Sequence, residues 1–78
     1  MALLQTVRLD FFDSTSISES MYDRDSEILT IKFLAGEKVY QYSDVDEVTY
    51  MKFAYADSQG EAFKDLIEGK FEYEKLEE

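Results

Sequence analysis

Apolar and polar positions change their spacing twice along the chain. From residue 3 to residue 12 they alternate. Leu3, Val7, Leu9 and Phe11 share a face on which Gln5 is the exception, while Arg8 and Asp10 point the other way. Such alternation predicts a half-buried strand, closed by the turn cluster Asp13-Ser14-Thr15-Ser16. A second short strand is expected from Ile17 to Tyr22. The polar run Asp23-Arg24-Asp25-Ser26 then has the length and composition of a hairpin turn. The clearest alternation follows it: Leu29, Ile31 and Phe33 against Ile28, Thr30 and Lys32. Ala35-Gly36-Glu37 reverses the chain, with Gly36 supplying a positive φ. Lys38 to Tyr42 returns with Tyr40 and Tyr42 on one face, so residues 17–42 read as an antiparallel meander.

At Asp44 the period lengthens. Asp44-Val45-Asp46-Glu47 places an acceptor three residues before a Glu, the capping-box arrangement, and acids here suit the positive end of a helix dipole. Val45, Val48, Tyr50, Met51, Phe53, Ala54 and Tyr55 follow at helical spacing. A second box, Ser58-Gln59-Gly60-Glu61, opens a helix with Phe63, Leu66 and Ile67 on one face and Gly69 as its stop. Phe71 and Tyr73 alternate again, as a last strand or an ordered tail. The expected fold is α+β: an antiparallel three- to four-stranded β-meander followed by two short α-helices packed on one face.

Length limits what this pattern can stabilise. Seventy-eight residues make one domain that buries about 60–65% of its unfolded surface. With no cysteine and no histidine, neither a disulfide nor a zinc site can staple it. Six Tyr and six Phe offer a core dense in rings, and self-association is the other available staple. Residues 1–12 read as no signal peptide, because Gln5, Arg8 and Asp10 interrupt the apolar run and no basic region precedes it. No stretch approaches the 18 or more apolar residues of a membrane span. These features suggest a cytoplasmic protein.

Charge narrows the chemistry. Eighteen Asp and Glu against eight Lys and Arg leave a net charge of -10, which repels phosphate backbones and disfavours direct nucleic-acid binding. The missing His and Cys remove the usual base, thiol nucleophile and most transition-metal ligands. Asp23-Arg24-Asp25-Ser26-Glu27 has the alternating acids of a calcium loop. It carries Ile28 where the sharp-turn glycine belongs and Leu34 where the bidentate Glu belongs, so a solvated turn accounts for it better. With no His, Ser14, Ser16 or Ser58 would need Lys or a carboxylate as base, and no flanking signature supports either. No enzyme activity, metal or cofactor is expected. Tyr40-Gln41-Tyr42, with Tyr22 and Phe33 nearby in the sheet, has the makings of a ring-stacking face; the plainer account packs such a pair beneath a helix.

Taken in order, Ser14-Thr15, Ile17, Tyr22-Asp23, Leu29-Thr30-Ile31-Lys32-Phe33, Gly36, Tyr40-Gln41-Tyr42, Val45, Ala56-Asp57-Ser58-Gln59-Gly60, Phe63 and Ile67 resemble the KTSC domain. That small family is named from the C-terminus of some lysyl-tRNA synthetases and occurs alone in bacteria and phages. The resemblance covers residues 14–73, leaving 1–13 as an added N-terminal strand and 74–78 as an acidic tail of a single domain spanning 1–78. Asp46 stands where the family usually has Pro, and Met21 where Gly is common. The resemblance implies the fold and no defined activity, and the synthetase context alone suggests an RNA role. For RNA, Lys32 and Lys38 are the candidate basic pair across the hairpin, with Glu37 and Asp44 beside them.

The function expected is a non-enzymatic accessory protein of bacterial or phage type that binds another macromolecule, a protein with a basic site. An acidic mimic that inhibits a host nuclease or defence protein is one concrete version. The rival is a small nucleotide-binding or RNA-associated module, with a pocket between the Tyr40/Tyr42 face and the Ser58–Phe63 helix start, whose amides would face a phosphate. The candidate contact residues are Tyr22, Tyr40, Tyr42, Ser58, Gly60 and Phe63. A homo-oligomer is a further expectation.

Overall fold

The structure is a computed structural model, and it describes residues 7–11 and 16–76. Five strands form one antiparallel sheet in chain order, β1 (Val7–Phe11), β2 (Ile17–Asp23), β3 (Ile28–Phe33), β4 (Val39–Tyr42) and β5 (Tyr73–Leu76). Helix α1 (Glu47–Ala54) and helix α2 (Gln59–Ala62), which runs on into a π-helical turn (Phe63–Ile67), connect β4 to β5. The fold is the α+β meander with two following helices. Four strands precede the helices, and a fifth returns afterwards to pair with β4. Residues 74–76, assigned above to an acidic tail, belong to that fifth strand. Residues 77–78 lie outside the described residues, as do Leu3, Gln5 and the turn cluster 13–15. The described part of the N-terminal strand pairs within the chain, Leu9 against Met21 and Phe11 against Glu19.

Alternation decides which face of the sheet is covered. Tyr22, Leu29 and Tyr42 are register neighbours across three strands, as are Ser20, Ile31 and Tyr40. Of these six all but Tyr40 are buried, and the helices lie over them. The intervening row, with Met21, Thr30 and Gln41, faces the other way, and Met21 is exposed. The helices contribute Tyr50, Phe53, Ala62 and Ile67 to the core, joined by Ile17 from the sheet and Val45 from the loop. Each large side chain fully buried here contributes about 1.5–3 kcal/mol, so a handful carries a domain this small. Three buried hydroxyls are accommodated by pairing: Ser20 Oγ lies 2.7 Å from the Tyr50 hydroxyl, and the Tyr22 hydroxyl donates to the Val45 carbonyl at 2.5 Å. The Tyr22 and Tyr50 rings stack, with centroids 4.6 Å apart and planes 7° from parallel.

Helix α1 begins at a different cap from the expected box. Asp44 adopts a left-handed φ of 63°, and Asp46 is the cap, its carboxylate accepting from the Thr49 amide at 3.3 Å and the Thr49 hydroxyl at 2.6 Å. The cause is Val45. Its side chain is buried, its amide donates to the Glu27 carbonyl at 2.9 Å and its carbonyl accepts from Tyr22, so the chain cannot turn helical before Asp46. Only part of the expected apolar surface of α1 faces inward. Tyr50 and Phe53 are buried, whereas Val48, Met51 and Tyr55 are exposed. Ser58 caps α2 as its box predicts, accepting from the Glu61 amide at 3.3 Å.

Candidate functional site

Where the end of β3, strand β4, strand β5 and the π-helical turn meet, five aromatic rings line one cleft. Tyr40 and Tyr42 stand two residues apart on β4 and so project from the same face. Tyr73 is paired directly with Tyr42 across the β4–β5 ladder, and Phe33 ends β3. Phe63 arrives from above, at the start of the turn whose widened bond runs from the Glu68 amide to the Phe63 carbonyl at 2.8 Å. Single π turns inside α-helices are uncommon and occur often at functional sites. Gly69, with φ 77°, carries the chain away from the turn and lines the cleft beside Glu68.

The rings touch one another at inclined angles. Tyr40 and Tyr42 each have a centroid 5.6 Å from Tyr73, with planes at 50° and 35°. Phe33 lies 5.6 Å from Tyr40 at 87° and 5.3 Å from Phe63 at 80°, both edge-to-face. Phe63 and Tyr42 are 5.6 Å apart at 71°. The result is a faceted wall around a cleft of about 400 Å³, with Ala35, Lys38, Glu68 and Gly69 completing the lining. Among the described lining residues only Lys38 and Glu68 carry charge. The Tyr42 hydroxyl is pushed up to about 12, first by burial and then by the neighbouring Tyr40, Tyr73 and Glu68, all of which disfavour a phenolate there.

The sequence candidates are distributed over three places. Tyr40, Tyr42 and Phe63 are together in this cleft. Tyr22 is in the core under α1, 2% exposed, with its hydroxyl occupied by Val45 and pushed up to about 12 by burial and then by Glu27, Glu47, Asp46 and Asp23. Ser58 opens onto a separate hollow of about 340 Å³, with Asp57, Glu61, Asp65 and Lys52 around it. Gly60 packs against Ser16: a Cβ at Gly60 would lie 3.1 Å from the Ser16 hydroxyl oxygen. The expected pocket between the tyrosine face and the α2 start is therefore divided, and three carboxylates line the hollow onto which Ser58 opens. Tyr73 and Glu68 were not among the candidates. For Tyr73 the signal is the Phe71/Tyr73 alternation, which becomes readable only once that strand is known to pair with β4; Glu68, at the end of the π-helical turn, has no such signal.

Other motifs resolve locally. Asp23 accepts from the amides of Asp25 at 3.0 Å and Ser26 at 3.4 Å, so its carboxylate closes the hairpin turn. Among the described residues no group of three or more Asp or Glu is placed to hold a metal ion. Lys32 and Lys38 do not form a patch: Lys32 is registered with Val39, while the neighbouring Phe33 amide bonds to the Lys38 carbonyl. Successive residues on a strand face opposite ways, which sends Lys32 to the uncovered side and leaves Lys38 by the cleft. Among the described residues no helix is long and apolar enough to cross a membrane.

Comparison with known proteins agrees with this architecture. A KTSC domain protein from Yersinia pestis, whose crystal structure is known, superposes with a TM-score of 0.84 at 32% identity, covering 91% of this chain and 99% of that one. A lysine–tRNA ligase of Trichormus variabilis is 34% identical over 64 residues, which is 82% of this chain. The chain spans only 11% of that relative's length. The family model for the KTSC domain matches residues 13–71. With three quarters of its length inside that match and the same sheet and helices, the chain belongs to the KTSC domain family.

Proposed function

We propose that this protein is a non-enzymatic binding module that recognises a basic surface on another protein. The observation that carries the reading is the aromatic cleft on a chain of net charge -10. Rings supply large contact area at low entropic cost, which is why Tyr and Phe anchor protein contacts. The surrounding acid steers a positively charged partner and speeds encounter. Tyr73 is 63% exposed, so one wall of the cleft faces solvent. A basic groove of a nuclease is one surface of the complementary kind, and a bacterial or phage accessory role fits a domain of this size.

Affinity capture on the immobilised full chain, followed by titration of the captured protein at 50 and 300 mM salt, tests the reading. Binding to a basic partner should weaken several-fold with salt and weaken again in Tyr40→Ala. Binding that ignores both salt and Tyr40→Ala rules the reading out.

A second reading draws on the lysine–tRNA ligase relative. An RNA-associated role would use Lys38 and Lys75, the register partner of Tyr40, beside the same rings. Salt dependence alone does not separate it from the first. A single-stranded RNA oligonucleotide competing for the cleft would favour it.

A further inference from the structure

We infer that the cleft seats the guanidinium of an arginine side chain from that basic partner, held against Tyr40, Tyr42 and Tyr73 with Glu68 as its counter-charge. This rests on the proposed binding of a basic protein and names the group that enters. Three observations converge on it.

The first is ring geometry. A nucleobase held between two rings needs faces about 7 Å apart, twice the contact distance of about 3.5 Å. The Tyr40–Tyr73 and Tyr42–Tyr73 centroids are only 5.6 Å apart, so these rings fill that slot themselves. No planar group is sandwiched there, so an entering group lies against the rings that line the cleft, and ring faces attract cations. The second is charge. Glu68 lines the cleft with these rings and is the carboxylate an entering cation would meet. Lys38 also lines the cleft, with its stem against the turn, where a Cβ on Gly36 would meet its Cε at 3.4 Å. The third is the placing of phosphate-binding features. The α2 start opens onto another hollow, and that hollow is lined by Asp57, Glu61 and Asp65. Arginine fits better than lysine because its planar fork stacks on a ring and donates to phenol and carboxylate oxygens together.

Amide NMR of the full chain at low ionic strength tests this with four probes: a short capped glycine–arginine peptide, its citrulline counterpart, its lysine counterpart, and a uridine oligonucleotide. The arginine peptide should shift resonances of Tyr40, Tyr42, Glu68 and Tyr73, and the neutral citrulline peptide should bind at least tenfold more weakly. Lysine should fall several-fold below arginine. Tyr73→Ala and the isosteric Glu68→Gln should each weaken the arginine peptide fivefold or more while leaving the spectrum folded. Equal binding of arginine and citrulline overturns the inference. Salt-dependent binding of both cationic peptides that neither variant alters also overturns it, yet leaves the basic-partner reading standing. If no peptide binds, both fail, and oligonucleotide binding at these resonances would move the site to nucleic acid.

Discussion

The Tyr22 hydroxyl donates to the Val45 carbonyl across 2.5 Å, tying strand β2 to the residue just before the α1 cap. That bond, with the stacking of Tyr22 on Tyr50, fixes where the sheet hands over to the helices. Replacing Tyr22 by Phe keeps the ring and strands a carbonyl. An unsatisfied buried acceptor costs about 1–3 kcal/mol. Urea melts of Tyr22→Phe should show a loss in that range with an unchanged m-value; a midpoint within error of the parent would mean water replaces the phenol without penalty.

Alkaline pH should unfold the protein through its buried phenols. Tyr22 and Tyr42 are both pushed up to about 12, burial being the first cause in each, against about 10 in an unfolded chain. Between these values the unfolded state releases protons that the folded state keeps. Stability from this source is therefore complete below about pH 10 and disappears as pH rises through about 12. Circular dichroism melts from pH 8 to 12, run beside phenolate absorbance, should show the melting temperature falling across that window. Ionisation of all six tyrosines near pH 10 in a folded protein would contradict it.

Gly69 sits at φ 77° with nothing within 4 Å of where a Cβ would be. The penalty for Gly69→Ala is thus conformational and not steric, about 1–2 kcal/mol for a left-handed residue. Asn tolerates this region better, so Gly69→Asn should recover part of the loss. Equal stability of Ala and Gly here would show that the turn leaving the π segment can relax.

The Ser58 hydroxyl accepts from the Glu61 amide at 3.3 Å, a long bond for a helix cap. Ser58→Ala should cost about 0.5–2 kcal/mol, and the stretched bond favours the lower half of that range. The same variant should leave arginine-peptide affinity unchanged, because Ser58 opens onto the other hollow. A binding defect without a stability defect would reassign this serine to a contact surface.

The strand alternation was legible because one face of the sheet is covered and the other is not. Leu29 and Ile31 are fully buried, and Met21 in the intervening row is exposed. The α2 cap was legible for a local reason, since Ser58 and Glu61 meet within one turn. The α1 cap was not, because Asp44 and Asp46 offer the same local chemistry and Val45 decides between them through contacts with residues 22 and 27. Tyr22 looked like a partner of Tyr40 and Tyr42 because all three lie on one face of one sheet. Two strands of separation put it under α1 and put them under the π turn. Tyr73 was the converse. Its alternation with Phe71 marks a strand but not that strand's partner, and only the return of the chain to β4 sets it beside Tyr42.

That return makes the cleft contingent on the edge strand. Three of the four residues of β5 are exposed, and its described pairing is to β4 alone. Segments with so little burial open and close well below the global unfolding free energy. Each such opening removes Tyr73 from the wall, so occupancy and strand docking are one linked equilibrium. A ligand seated there would slow hydrogen exchange at the amides of residues 73–76 more than anywhere in the core, and the edge of the sheet would report the state of the site.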